Sequence, residues 1–247
     1  MMANSSDSYA PRGDARFATT HWSLILEARD GQDKAADQAL EELCRVYWYP
    51  LYAYGRRSGI SADEAKDLTQ QFFQQLLEKQ FLDSVHPSKG KFRSFLLVTF
   101  KNLIKSEWRR ANAQKRGGGQ VVLSLDEQDP EGRYLREPVD TVTPDQLYEK
   151  QWAQTLVGRA INRLKEEWEA QGKPFDKLKV FLLSQKGTVA FADMASELGT
   201  SENALKASVH RMRRRYGEIF RSEVALTVND PSEVDEEVQH LIGALGG

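Results

Sequence analysis

The stretch FADMASELGTSENALK, residues 191–206, decides the architecture of the second half of the chain. Apolar residues at helical spacing indicate a first helix that packs through Phe191, Met194, Ala195 and Leu198. Gly199 can end this helix because glycine tolerates positive φ, and Ser201 can cap a second helix after a very short turn. Two helices joined this closely form a helix-turn-helix pattern.

The second helix of this pattern has two different faces. One face carries the apolar residues Leu205, Val209, Met212 and Tyr216. The other face is polar and basic, with Asn203, Lys206, His210, Arg213 and Arg214. Polar side chains can bond to base edges in a major groove, and cations can bond to phosphates. Contact with duplex DNA is the favoured interpretation, and the alternative is an ordinary helical hairpin with a solvated basic surface.

Upstream of this pattern, charge alternates along the chain. The formal net charge is −2, but the opposite charges are separated along the sequence. Between residues 89 and 116 the single acid is Glu107, and the basic residues are Lys89, Lys91, Arg93, Lys101, Lys105, Arg109, Arg110, Lys115 and Arg116. Residues 126–149 are mainly acidic, and no Lys or Arg follows Arg221. The small net charge therefore does not exclude a nucleic-acid partner.

The first half of the chain is also helical by pattern. Apolar periodicity predicts helices over His21–Ala28 and Lys34–Tyr49. Ser61 and Glu64 form a capping box that opens a helix with an apolar stripe and an opposite polar face. A further helix runs from about Phe92 to Ala113, and one of its faces carries Lys101, Lys105, Trp108, Arg109 and Asn112.

Trp108 gives this last face a second property besides charge. A stacking surface among cations is what single-stranded nucleic acid needs, because the ring supports a base while the cations neutralise phosphates. The alternative is that Trp108 is a core residue, as a lone tryptophan usually is.

The layout expected from these patterns is all-α, with two helical domains joined by an acidic linker. We expect a disordered N-terminus over residues 1–16, a first domain over 17–116, a linker over 117–144, a second domain with the helix-turn-helix over 145–221 and a C-terminal extension over 222–247. Gln151–Ala170 is predicted as the first long helix of the second domain. In the extension, Asp230 and Pro231 begin a short amphipathic helix that should dock, because it would be marginal alone.

Several classes of protein are excluded by composition. Apolar runs such as Phe95–Val98 fall far below the roughly 20 residues of a membrane span, and no signal-peptide pattern opens the chain, so we expect a cytoplasmic protein. The one cysteine, Cys44, excludes an internal disulfide and a multi-cysteine zinc site, and we expect it to be buried. A nuclease or recombinase would need clustered acids. The one such group near basic surface is Asp63, Glu64 and Asp67, which a partner contact explains equally well.

Three segments, taken in order, resemble the sigma-70 family of bacterial RNA polymerase factors. They are DEAKDLTQQFFQQLL (residues 63–77), FRSFLLVTFKNLIKSEWRR (residues 92–110) and KASVHRMRRRY (residues 206–216). The likeness covers roughly residues 35–116 and 145–221. It is to the small extracytoplasmic-function (ECF) group, and the opening FATTHW (residues 17–22) and the tail around Asp230 are similar to a subgroup with extensions at both ends.

The resemblance implies a promoter-specificity factor without enzymatic activity, cofactor or metal. Core polymerase would be bound through the clamp of its largest subunit and the flap of its second largest. The clamp-binding residues would be Asp63, Glu64, Asp67, Gln70, Gln71 and Gln74. The residues that open the minus-ten element would be His86, Ser88, Lys89, Lys91, Lys101, Asn102, Lys105, Trp108 and Arg109. The residues that read the minus-thirty-five element would be Ser201, Asn203, Lys206, Ala207, His210, Arg211, Arg213 and Arg214.

Two regulatory partners enter as hypotheses, an anti-sigma factor and a Ser/Thr kinase. Lys66 interrupts the acidic motif between Glu64 and Asp67, and phosphorylation of Thr69 would restore negative charge there. The alternative for Thr69 is burial beside the apolar stripe. The alternative for the whole chain is a helix-turn-helix regulator that binds DNA without core polymerase.

Overall fold

The computed structural model describes residues 34–77, 91–113, 129–137, 142–183 and 190–246, and every regular element in those ranges is helical. This confirms the all-α class. In chain order the helices are α1 (Lys34–Arg57), α2 (Ala62–Leu77), α3 (Phe92–Ala113), α4 (Pro130–Tyr134), α5 (Pro144–Glu169), α6 (Phe175–Leu178), α7 (Val180–Leu183), α8 (Phe191–Glu197), α9 (Glu202–Ala225), a 3₁₀ turn (Pro231–Glu233) and α10 (Val234–Gly246). The predicted disorder over residues 1–16 and the helix over His21–Ala28 lie outside the described residues.

Helix α1 continues past the point where we expected it to end. The helix predicted from apolar periodicity extended from Lys34 to Tyr49, and Pro50, which follows it, cannot donate the helical hydrogen bond. The helix instead runs through Pro50 to Arg57. Aromatic side chains on both sides of the proline are buried, and the rings of Trp48 and Tyr52 stack with centroids 5.3 Å apart. Tertiary packing therefore outweighs the local cost of Pro50.

Helices α2 and α3 begin where the sequence predicted. The Ser61 Oγ caps α2 by accepting from the Glu64 N–H at 3.4 Å, and it donates to the Glu64 carboxylate at 2.8 Å. Helix α3 begins at Phe92, and the apolar first half is buried. The Phe72 and Phe100 rings meet edge to face at 5.4 Å, so α2 and α3 share one core.

The predicted linker contains an ordered helix, α4, that composition alone did not reveal. Asp129 has a left-handed φ of 59°, and its side chain accepts from the Gly132 N–H at 2.8 Å. Glu131 then anchors α4 to α1. Its carboxylate accepts from Arg56 at 2.8 and 2.7 Å and from the Tyr52 hydroxyl at 2.6 Å. The acidic composition of the region concealed this short docking element.

Helix α5 begins at Pro144, seven residues before the predicted start at Gln151. A capping box of Thr143 and Gln146 fixes this start, with both reciprocal bonds formed. The helix packs against α1, α9 and α10. The two predicted domains are thus in contact through a continuous core, and their behaviour as separate domains stays a prediction.

A tight turn joins α8 to α9 and leads to the C-terminal segment. Gly199 has a φ of 64°, and the Thr200 N–H donates to the Ala195 carbonyl at 3.0 Å. The Ser201 Oγ accepts from the Ala204 N–H at 3.2 Å and caps α9. After α9, Asp230 caps the 3₁₀ turn, and α10 docks against α5 and α9 with Val238 and Leu241 buried.

Candidate nucleic-acid interface

Helix α9 presents an exposed polar face next to the α8–α9 turn. All eight residues predicted to read duplex DNA are exposed, namely Ser201, Asn203, Lys206, Ala207, His210, Arg211, Arg213 and Arg214. The opposite face packs through the buried residues Leu205, Val209 and Met212. The predicted division of this helix into an inner and an outer face is therefore confirmed.

The cations on this face differ in their ion pairs and hydrogen bonds within the chain. Lys206 pairs with Glu202 at 2.5 Å, and Arg214 pairs with Glu218 at 3.1 Å. Arg213 donates two hydrogen bonds to the Phe181 carbonyl, at 2.7 and 3.2 Å. Arg213 thus links α9 to α7. Helical spacing alone did not predict this structural role. Within the described parts of the chain, no hydrogen bond or ion pair engages Arg211.

The neighbouring Arg215 is half-buried and links two helices. Its guanidinium donates to both oxygens of Glu167 on α5, at 2.7 and 2.8 Å. The bond from Arg215 holds the pKa of the Glu167 carboxyl below its ordinary value. Arg159 makes a similar link to Glu223 at 3.0 Å. These ion pairs seat α9 on α5, so Arg215 contributes to the orientation of the exposed face.

Helix α3 presents a second exposed face. Trp108 is 73% exposed, which excludes the alternative that it is a core residue. Its exposed neighbours on this helix include Asn102, Lys105 and Arg109. Val98 is also exposed on the same side. An exposed indole among cations and an amide offers a stacking surface with phosphate-neutralising groups beside it.

The start of α3 is covered by acidic residues from the second half of the chain. Lys91 Nζ lies 2.6 Å from Glu237 Oε2, and Arg93 Nε lies 2.9 Å from Glu237 Oε1. Arg93 also binds Glu149 at 2.7 Å. Further along α3, Lys101 bonds to Asp145. The sequence placed Lys91 and Lys101 at the minus-ten element, but nothing in the local pattern indicated these acidic partners, or that Arg93 would be buried.

The Glu237 carboxylate is charged despite its burial. Burial acts to raise its pKa, but the bonds from Arg93 and Lys91 outweigh that effect and keep the pKa below the ordinary value. Two cations within hydrogen-bond distance stabilise the ionised form more than the loss of water destabilises it. The contact is therefore an ion triad between α3, its preceding residue Lys91 and α10.

Helix α2 presents the acidic face that the sequence predicted, with one exception. Asp63, Glu64 and Asp67 are exposed, and Gln71 and Gln74 are half-buried. Gln70 is only 7% exposed, so its side chain does not lie on the face where we expected it. The reason is helical geometry, because Gln70 lies three positions before the buried Phe73 and so shares its face.

The structure contradicts the phosphorylation hypothesis for Thr69. Its side chain is 0% exposed, and its hydroxyl donates to the Ala65 carbonyl at 2.7 Å. A kinase cannot reach this hydroxyl in the folded chain, so burial, the alternative, is correct. The prediction for Cys44 is confirmed, since the thiol is buried and burial raises its pKa to about 12.

Part of the predicted minus-ten site, His86, Ser88 and Lys89, lies outside the described residues. Among the residues that the structure does describe, no helix combines the length and apolarity that a membrane crossing requires. In the same ranges, no three His, Cys, Asp or Glu side chains are grouped to hold a metal ion.

Comparison with known proteins gives one match. Residues 47–114 match the family model for sigma-70 region 2. The matched segment runs from the middle of α1 to the residue after α3, so it contains both the acidic face of α2 and the exposed Trp108. The match supports a sigma-70 family factor. No curated protein and no solved structure matches the chain.

Proposed function

We propose that this chain is an RNA polymerase sigma factor of the ECF type, which binds core polymerase and directs promoter recognition, DNA opening and transcription initiation. One observation carries the proposal. The sigma-70 region 2 match falls on the helices whose exposed surface combines Trp108 with cations and, on α2, an acidic face. The role needs no catalytic residue and no cofactor, because the chemistry belongs to the polymerase.

The α3 face would hold the separated strand of the minus-ten element. Stacking of an unpaired base on an aromatic ring contributes about 1–3 kcal/mol, which offsets the cost of leaving the duplex. Trp108 is the ring that is free to stack, and Lys105 and Arg109 are exposed beside it to neutralise the strand. The preceding residues His86, Ser88 and Lys89 would hold a base turned out of the stack.

Helix α9 would enter the major groove of the minus-thirty-five element with its N-terminal turns. Asn203 and Arg211 offer an amide and a guanidinium, the groups that bond to adenine and guanine edges. Both side chains are exposed. Arg213 is a weaker candidate for base reading, because the Phe181 carbonyl already accepts two of its hydrogen bonds. We propose that Arg213 positions the helix instead.

The polymerase contacts would use other residues than the two DNA faces. Asp63, Glu64 and Asp67 on α2 would bind the clamp of the largest subunit, and the second half of the chain would bind the flap of the second largest. The acidic segment 117–144 would follow the RNA-exit path as a mimic of nucleic acid. An anti-sigma partner stays a prediction.

Binding both promoter elements at once requires the two DNA-binding faces to lie far apart. Elements some 25 base pairs apart are separated by about 85 Å at 3.4 Å per base pair. Helix α5, with 26 residues, is about 39 Å long and packs against both α1 and α9. The two DNA-reading faces are therefore too close in this arrangement, and the α1–α5 contact would open when the factor occupies a promoter.

Retention of the chain by core polymerase, followed by run-off transcription, tests the proposal. We expect the purified chain to co-purify with core polymerase and to direct initiation from specific genomic fragments. Charge reversal at Asp63→Lys with Asp67→Lys should abolish retention, whereas Glu41→Lys, an exposed control on α1, should not. A chain that binds duplex DNA alone and ignores core polymerase would be a regulator, which is the competing function.

A further inference from the structure

Glu237 has the most deeply buried carboxylate of the C-terminal segment, and its partners come from the first half of the chain. Its side chain is 1% exposed. It accepts from Lys91 at 2.6 Å and from Arg93 at 2.9 and 3.3 Å. These cations precede or begin α3, the helix whose exposed face carries Trp108.

The two cations depend on the second half of the chain for their charge partners. Lys91 is paired with Glu237, and Arg93 is paired with Glu237 and Glu149. Both acids lie beyond the segment that matches sigma-70 region 2. A buried cation requires an anionic partner, because its loss of water costs several kcal/mol. In the matched segment without the second half of the chain, Lys91 and Arg93 would have neither Glu149 nor Glu237 as a partner and would form a cationic surface.

Few side chains of α10 are buried. Besides Glu237, the buried side chains of this helix are Val238 and Leu241. Asp235 is exposed and bonds to Arg221 on α9, and Glu236 is exposed. A helix of this length is marginal in isolation, so it persists only while it is docked. Detachment would therefore convert the helix into a free acidic tail and remove Glu237 from both cations together.

We propose that α10 is an intramolecular cover that competes with DNA for the anion-binding surface of Lys91 and Arg93. The Glu237 carboxylate occupies the position that a phosphate of the DNA strand would take. While α10 is docked, DNA cannot bind Lys91 and Arg93 at the start of α3. The proposal deepens the proposed function, on which it rests, by adding a regulatory element to the DNA-binding site.

Matched variants of the full chain separate this cover from a general change in charge. Glu237→Gln removes the buried charge, while Glu236→Gln makes the same change at an exposed position of the same helix. Leu241→Ser weakens the packing of α10 without altering charge, while Ile242→Ser makes the same kind of change at an exposed position. The last pair keeps the proposal testable if Glu237→Gln perturbs folding.

The binding probe is a fluorescein-labelled DNA duplex with an unpaired bubble, titrated with each protein and followed by fluorescence anisotropy, with and without core polymerase. We expect Glu237→Gln and Leu241→Ser to bind about three- to tenfold more tightly than the wild type, and both controls to bind as the wild type does. Adding Lys91→Gln to Glu237→Gln should cancel the gain. Unchanged affinity in both test variants would overturn the cover.

A second measurement reports on the cover without DNA. Acylation of Lys91, followed by peptide mass spectrometry, should be several-fold faster in both test variants, because the amine is 28% exposed and paired in the closed chain. Faster acylation without tighter DNA binding would also overturn the competition with DNA. The proposed function fails separately, if the wild type is not retained by core polymerase, so the two failures are distinguishable.

Discussion

The indole of Trp152 on α5 stacks on the phenol ring of Tyr47 on α1, with ring centroids 4.4 Å apart and planes 11° from parallel. Both side chains are 0% exposed. The stack joins a residue inside the region 2 match to a residue beyond it, so it holds the two halves of the chain together.

Trp152→Ala should reduce the free energy of unfolding by about 3–5 kcal/mol, because it leaves a cavity beside Tyr47. Urea denaturation followed by circular dichroism measures this. Trp108→Ala, which removes the same ring from an exposed position, should change stability by about 0.5 kcal/mol or less. Equal losses in the two variants would show that the stack is not a principal contact of the core.

Trp108→Ala should instead impair DNA opening. The loss of one base stack corresponds to about 1–3 kcal/mol, or roughly 5- to 150-fold in the population of open promoter complex. Permanganate reactivity of unpaired thymines, measured with core polymerase present, gives that population. Trp108→Phe should retain most of the opening because it keeps an aromatic surface. Normal opening by the alanine variant would remove Trp108 from the mechanism.

Arg211→Ala and Arg213→Ala should have different effects although the residues are near neighbours. Arg211 is exposed and is not engaged by the described residues, so its loss should weaken promoter binding about tenfold with unchanged stability. Arg213 holds the Phe181 carbonyl, so its loss should cost about 1 kcal/mol of stability after allowance for solvent exposure. Promoter binding in gel-shift assays with core polymerase and the thermal midpoint measure the two effects.

Glu131 should contribute a pH-dependent share of stability. The bond from Arg56 holds the pKa of its carboxyl below the ordinary value of 4.5. This share is fully present above pH 4.5 and is lost as the pH falls through the lowered pKa of the folded chain. The Tm difference between wild type and Glu131→Gln should therefore shrink on acidification. With Glu166→Gln as an exposed control, a difference that is constant across this range would contradict the assignment.

Local patterns predicted the elements that local chemistry controls. The Ser201 cap, the turn at Gly199 and the start of α3 at Phe92 each depend on neighbouring residues, and each lies where the sequence indicated. The exposed face of α9 follows from helical spacing in the same way. The burial of Gln70 also follows from helical spacing, because Gln70 lies three positions before the buried Phe73.

Long-range pairings could not be predicted in this way. The Glu131–Arg56 pair joins residues 75 positions apart, and a composition that suggested a linker concealed it. Helix α1 continues through Pro50 because aromatic packing, including the stack of Tyr47 on the distant Trp152, outweighs a local break signal. The acidic partners of Lys91 and Lys101 likewise come from α10 and α5, and no residue near either lysine indicates them.

The bond between Lys91 and Glu237 joins positions 146 residues apart on one molecule. An acid on the same chain meets its lysine at an effective concentration that chain geometry sets, independent of copy number. Dilution leaves that occupancy unchanged, whereas a separate acidic inhibitor would dissociate as its concentration fell. The Glu237 contact would therefore restrain Lys91 equally in a cell with few copies of the protein and in one with many.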